Sequence, residues 1–350
     1  MNVRFLLFAQ FFRGYFEKAY TRKKSKDLWC HGSPKYSHCC ADHLSLKLIA
    51  SILKIVKPLA FDAIGKGLQN ITGASSSLKE FEQPLGDPGL FGPHSVVWKV
   101  HADFSAMMVG GLSSLMIQAL HPRALAAVWD HSNFRQQLKA RLGRTALFVA
   151  ATTYGGVELA TQHIDRVNGI HAKIRGVDLK GQAYCANEPH LLRWVHLVET
   201  ISFLNAYQHL ALQPLSASDC DRYMVEMNKV GEMLGATNLP VTFSEAKFAM
   251  SQYESELVFD QRTRETLQSI ESYSVDLTEK PFFALILSVS FDIVPSWLLQ
   301  KLQKSSDSSL QINTRRLALQ IASQPVQWML DEQGVSAVAR KRVNLPIASA

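Results

Sequence analysis

The chain reads as an all-α protein, and three observations carry that reading. No stretch sustains the apolar–polar alternation of a half-buried strand, and no repeat of 20–50 residues is present. Apolar residues recur instead at helical spacing, in segments punctuated by Gly, Pro and capping residues. Finally, residues 187–213 form one long segment that is apolar round most of a helix circumference, the pattern of a helix buried in the middle of a protein. With 350 residues, 47% of them hydrophobic and 19% charged, the chain can bury a large core and is globular in composition.

The formal charge of +7 is unevenly placed. Residues 1–26 hold seven basic groups (Arg4, Arg13, Lys18, Arg22, Lys23, Lys24, Lys26) against Glu17, a balance of +6, so the rest of the chain is near +1. A nearly neutral body argues against a nucleic-acid-binding face, which needs clustered Lys and Arg. Within 1–26 the basic residues alternate with apolar clusters, and no small-residue cleavage site follows. Two readings stand for this segment: a basic amphipathic stretch lying on an anionic membrane surface, or a packed leader with no membrane role. The five cysteines are odd in number and unevenly spread, so they make no disulfide framework. Cys30, Cys39 and Cys40 lie near His31, His38 and His43 but match no usual zinc spacing. Cys185 and Cys220 read as thiols of a reducing compartment, and the location expected is cytoplasmic, at most peripheral on a membrane.

The elements follow in order. Residues 27–44 are polar and irregular, and residues 46–68 carry Lys47, Lys54, Lys57 and Pro58, too many charges and a breaker for a spanning helix. Residues 86–93 (Gly-Asp-Pro-Gly-Leu-Phe-Gly-Pro) form a rigid, turn-rich stretch. A helix is expected from about Phe104 to Leu120, with Gly110-Gly111 permitting close packing, and it stops at His121-Pro122. Pro122 opens a short helix ending near His131. Ser132 is the N-cap expected for a helix over 133–151, on which Arg141, Arg144 and Thr145 make one polar cluster. Helices are expected over 157–175, 187–213 (with Asn187 as N-cap), 217–234, 242–268 and 280–304, the last kinked at Pro295. One further helix falls in the last 37 residues. On the central helix Arg193, His196 and Thr200 lie at i, i+3 and i+7, a row whose neighbours are about 5–6 Å apart. Buried polar groups there must find partners, so the row is either a satisfied network or a site.

No phosphate-binding glycine loop, His-Glu-x-x-His, kinase signature, Gly-x-Ser-x-Gly elbow or Cys-x-x-Cys-His is present. What remains is histidine-rich: ten histidines lie between 43 and 209, most of them expected to be ordinary core residues. The ordered blocks 86–93, Trp98-x-Val-His101, Gly110-Gly111, Gln118-Ala-Leu-His121-Pro122, His131-Ser-x-Phe134, Arg141-x-x-Arg144-Thr145, Tyr154-Gly155-Gly156, His171-Ala-x-Ile-Arg-Gly176 and Leu191-Leu-x-Trp-Val-His196 resemble the DUF2236 family. That family contains the rubber (latex-clearing) oxygenase catalytic domain and the fungal oxygenase of mycophenolic acid biosynthesis. The resemblance covers about 81–304.

The resemblance implies a globin-like helical core holding haem b, and an oxygenase that uses dioxygen on a lipophilic, isoprenoid- or lipid-like substrate. It divides the chain into a basic amphipathic extension (1–80), the catalytic domain (81–304) and a C-terminal tail with one helix (305–350). His196, in an Arg-x-x-His context with Arg193, is the implied axial iron ligand, and Arg141, Arg144 and Thr145 the implied distal group. Arg144 stands where the rubber oxygenase has lysine. An arginine keeps its proton and cannot ligate iron, so the rubber-cleaving mechanism does not carry over whole. His121, His131, His163 and His171 lie in matched blocks and receive no ligand role. Two other readings are weighed against this one. The first is a non-catalytic helical protein binding lipid or haem at a membrane surface. The second is a zinc or di-metal site built from the matched histidines, weaker because the helices lack the Glu-x-x-His pairs of di-iron bundles.

Overall fold

The structure, a computed structural model, describes residues 61–68, 78–134, 137–273 and 275–344. The basic segment 1–26 and the Cys/His-containing residues 27–44 lie outside the described residues. The described residues belong to a compact unit that begins at Pro58 and is all-α apart from one small hairpin.

In chain order the helices are α1 (Val96–His101), α2 (Phe104–Gln118), α3 (Pro122–His131), α4 (Leu138–Tyr154), α5 (Val157–His171), α6 (Pro189–Leu210), α7 (Ala217–Met233), α8 (Phe243–Ser251), α9 (Gln261–Glu271), α10 (Lys280–Asp292), α11 (Ser296–Lys301), α12 (Ser309–Gln333) and α13 (Val335–Arg342). Strands β1 (Arg175–Val177) and β2 (Ala183–Cys185) pair antiparallel between α5 and α6.

Helix α6 runs through the middle. Trp194, Leu197, Val198, Ile201 and Leu204 are almost completely buried, as an all-round apolar helix must be. Its principal partner is α2. The two approach closely because Gly110 has no side chain: a Cβ there would lie 2.7 Å from Phe203 Cδ1 and 2.9 Å from Ser202 O. The core continues through Met116, Ile117, Tyr223, Met224, Ile286 and Leu298. Among the described residues no single helix is long and apolar enough to cross a membrane. Only α2 and α3 together reach that composition, bent by 103°.

Several boundaries differ from the sequence reading, each for a local reason. Ser132 does not cap α4. Its hydroxyl donates back to Val128 O at 2.6 Å and serves the end of α3, so α4 begins only at Leu138. The segment expected as one helix over 242–268 holds two N-terminal capping boxes, Thr242 with Glu245 and Asp260 with Thr263. It therefore breaks into α8, a short 3-10 turn (Glu254–Glu256) and α9. Helix α5 ends at His171 rather than near Arg175, because Arg175 pairs across the hairpin with Cys185. The hairpin turn is held by Asp178 Oδ1, which accepts from the amides of Lys180 and Gln182, and by Gly181 at φ +76°. Glu188, not Asn187, is the N-cap of α6.

The expected kink at Pro295 separates α10 from α11. The C-terminal region forms two helices, α12 and α13, instead of one, and Leu319, Met329, Ala337 and Ala339 are buried. Arg342 is 1% exposed, and its guanidinium donates to Phe81 O, Asp87 O and Tyr154 O at 2.7–3.0 Å. It thereby ties the chain's last helix to the turn over 86–93. That turn sits on the bend between α4 and α5. Asp87 Oδ2 accepts from Val157 N (2.8 Å), and Gly89, at φ +71°, presses on Gly155 O where any side chain would collide.

The glycine contact yields the first prediction. Gly110→Ala is expected to destabilise the protein by about 1–3 kcal/mol, the usual effect of adding volume to a closed helix interface. Thermal denaturation followed by circular dichroism measures it. A variant melting with the wild type would mean that α2 and α6 separate without loss.

Candidate functional site

One stripe of α6 borders open space as well as the core. Leu192, Val195, His196, Glu199 and Phe203 follow the i, i+3, i+4, i+7, i+11 spacing of a single helix face and line open space. Opposite them stand Met107, Met108, Gly111 and Leu115 of α2, Arg141, Leu142 and residues 144–150 of α4, and His163, Arg166, Ile170 and His171 of α5. These four helices enclose a largely apolar cavity of about 570 Å³, within the usual range of roughly 300–1,000 Å³ for cofactor and ligand sites. A recess of about 60 Å³ adjoins it, sharing His101, Phe148, Val149, His171 and Glu199, and is bounded further in by His196 and Gly231.

Arg141, Arg144 and Thr145, one turn of α4, all face this cavity, Arg144 and Thr145 from exposed positions. No ion pair among the described residues engages Arg141, Arg144 or Arg166, and Arg141 lies over the Phe134 ring at 5.6 Å. Burial, and then the charge of Arg144, bring Arg141 down to about 10, so it stays a cation at neutral pH. Of the described lining residues, only these three arginines and Glu199 carry formal charge. The cavity is greasy with a cationic margin.

Glu199 is the residue that motif reading passed over. Burial pushes its carboxyl up to about 7. Near it, His101 is hydrogen-bonded at both ring nitrogens, Nδ1 with Thr153 Oγ1 (2.7 Å) and Nε2 with the Tyr223 hydroxyl (3.0 Å). Burial lowers His101 to about 3, leaving a neutral ring that donates at one nitrogen and accepts at the other. Burial, and next the Glu199 charge, hold the Tyr223 hydroxyl well above its ordinary value. A sequence signal for Glu199 existed: it is the sole acid between Glu188 and Asp219, on a helix otherwise built for burial.

Arg193 and His196, the residues the resemblance implies at the iron, have different surroundings. Arg193 does not line the cavity. It is directed at Tyr253, on another side of α6. His196 lines the recess rather than the cavity itself. Asn228 donates its amide to Pro240 O at 2.9 Å, which turns Oδ1 toward His196 Nε2 at 3.4 Å, so that nitrogen carries the proton. His196 Nδ1 packs on Gly231, where a Cβ would lie 2.8 Å away. Burial lowers His196 to about 4. His171, given no role from sequence, lines both spaces, and its Nδ1 is buried without a hydrogen-bond partner. Thr200 is fully buried with no partner for its hydroxyl and lines neither space.

The class defined here is a helical domain whose central helix turns Glu199 to an apolar cavity margined by arginines, with His196 in the adjoining recess and His171 on the wall contributed by α5. The chain is a member of the family described as the catalytic domain of the ER-bound oxygenase mpaB/B' and rubber oxygenase, which matches residues 98–323. The family domain is an oxygenase catalytic domain. No curated protein and no solved structure matches the chain.

The Glu199 environment fixes a sign. The folded carboxyl keeps its proton up to about pH 7, whereas the unfolded one releases it near 4.5. Between those values the folded state holds more protons, so this group's contribution to stability falls as pH rises. Glu199→Gln is therefore expected to match the wild type at about pH 4 and to melt higher at about pH 8. Melting curves across that range read the difference, and an offset independent of pH would refute the buried acid.

Proposed function

We propose that the protein is a haem b-dependent oxygenase acting with dioxygen on a lipophilic substrate. The observation that carries this reading is the cavity of about 570 Å³ between α2, α4, α5 and α6, apolar inside and margined by unneutralised arginines. A porphyrin needs apolar walls, a nitrogen ligand and cations for its carboxylates, and these residues fit it. Arg141, Arg144 and Arg166 would hold the carboxylates by charge-assisted hydrogen bonds. His171 is the favoured iron ligand, because its Nδ1 is an orphaned buried donor atom at the cavity wall. His196 is the alternative ligand. It would ligate through Nδ1, the nitrogen packed on Gly231, while its Nε2–H stays with Asn228.

When bound, haem supplies an iron centre that activates dioxygen. The chain's own contributions follow from the lining. Met107, Met108, Leu115 and Val195 exclude water and receive an apolar chain. The Glu199 carboxyl, poised near neutrality, holds a proton inside the cavity or releases one. Thr145 and Arg144 offer donors from the cavity margin, and arginine at 144 rules out a lysine-type iron ligand from that position.

The same arginine margin also suits the carboxylate of a fatty chain, which keeps a second reading in view: a non-catalytic protein that binds lipid or haem at a membrane surface. Residues 1–26, with their basic amphipathic pattern, are the proposed membrane contact. Co-sedimentation with anionic liposomes should weaken when the chain is started at Ser75, and an unchanged pellet would end the membrane proposal.

The cofactor is tested by the visible spectrum of protein expressed with haem precursor. An intense Soret band is expected in the wild type, lost or shifted in His171→Ala and retained in His196→Ala. The reverse pattern would move the ligand to His196. No band in folded wild-type protein would overturn the haem oxygenase and leave the lipid-binding reading.

A further inference from the structure

We infer that His121, His190 and Glu256 form a second site, for a divalent transition-metal ion of zinc type. The three come from separate elements: His121 at the N-cap of α3, His190 in the first turn of α6, and Glu256 at the end of the 3-10 turn. One ligand atom from each lies within 4.8 Å of the others. Two imidazoles and a carboxylate are a donor set that nitrogen- and oxygen-preferring metals take, three protein ligands leaving a further position for water.

His121 is the observation that points to an ion. Its side chain is 1% exposed, yet neither ring nitrogen meets hydrogen-bond geometry, with Nε2 only 3.3 Å from Glu256 Oε2. A buried imidazole whose polar contact is one long approach to a carboxylate, with Nδ1 left unpartnered, is uncommon, since desolvating a polar group uncompensated is unfavourable. His190 Nε2 donates to the same carboxylate at 2.8 and 3.1 Å. Donors about 2.1 Å from a tetrahedral metal stand roughly 3.4 Å apart, close to these separations. A metal ion takes the place of the proton between His190 and Glu256 and engages His121 at the same time.

The scaffold holds the three in place. Tyr253 packs on His190 with ring centroids 4.6 Å apart and the planes tilted by 31°, and its hydroxyl donates to His190 O at 3.0 Å. Val258 N donates to Leu120 O at 2.8 Å, fastening the 3-10 turn beside His121. Arg123 is occupied by Glu188, with both contacts at 2.9 Å, and stands 3.8 Å from Glu256. A polar, solvent-connected space of about 430 Å³, bordered by Lys180, Gln182 and Ser255, gives an ion its entry. His190 precedes Val195 by five residues, about 140° round the helix, so this site sits on a different side of α6 from the cavity.

The test uses full-length protein, freed of metal with a chelator and re-equilibrated with zinc. Zinc per chain is counted by mass spectrometry, and melting temperature is followed with and without zinc. The wild type and His171→Ala are expected to retain one zinc and to melt higher with it, because an ion that binds only the folded state stabilises it. His190→Ala and Glu256→Gln should bind zinc at least about tenfold more weakly, the loss that even an outer partner of a metal ligand produces, and lose the melting shift. His190 is 41% exposed, so its truncation tests the site with the fold intact. No zinc on the wild type, or undiminished zinc on both variants, overturns the site. The count concerns zinc alone and stands or falls apart from the Soret band.

Discussion

Helix α6 can be enclosed on nearly every side only because α2 presents it with a glycine. Gly110 brings the two backbones together over Ser202 and Phe203, and a single methyl group there would collide with both. Burial of Trp194, Leu197, Val198 and Ile201 then follows, and removing such apolar surface from water is the dominant favourable term in folding. Once α6 is fixed against α2, its remaining faces are fixed too. The surroundings of His190, Arg193, His196 and Glu199 follow from which way those faces point.

One face meets α4 and α5 across open space. These two helices are held off by the bend between them, which the turn over 86–93 clamps from outside. Asp87 caps the start of α5, Gly89 rests on Gly155 O, and Arg342 collects three carbonyls around the same point. The sequence blocks behind the family resemblance thus divide by physical role. The turn at 86–93 and Tyr154-Gly155-Gly156 meet at the bend between α4 and α5. Arg141, Arg144, Thr145 and His171 line the cavity.

The other face carries His190 and Arg193 toward Tyr253 and Glu256. The same helix therefore serves two environments of opposite character. One is an apolar cavity where burial drives Glu199 up and His101 down; the other is a polar, solvent-connected cluster where imidazoles face a carboxylate. They lie on different sides of a packed helix, with Trp194, Leu197 and Val198 buried along it.

By itself the sequence determined the all-α fold, the central position of α6, the break at Pro295, the close contact permitted at Gly110-Gly111 and the grouping of Arg141, Arg144 and Thr145. Each is a local matter of periodicity, capping or a breaker, readable within a turn or two of helix. Local signals also misled where two competed: Ser132 served the helix before it, and Asp260 started a new helix inside an expected one. Only the tertiary structure decided which polar groups share a space. Arg193 and His196 are one helical row in the sequence, yet a rotation of α6 set by α2 sends Arg193 to Tyr253 and His196 to Asn228. Glu199 and His171, and likewise His121, His190 and Glu256, lie on elements tens of residues apart. Their proximity depends on how helices pack, which periodicity along one chain does not contain.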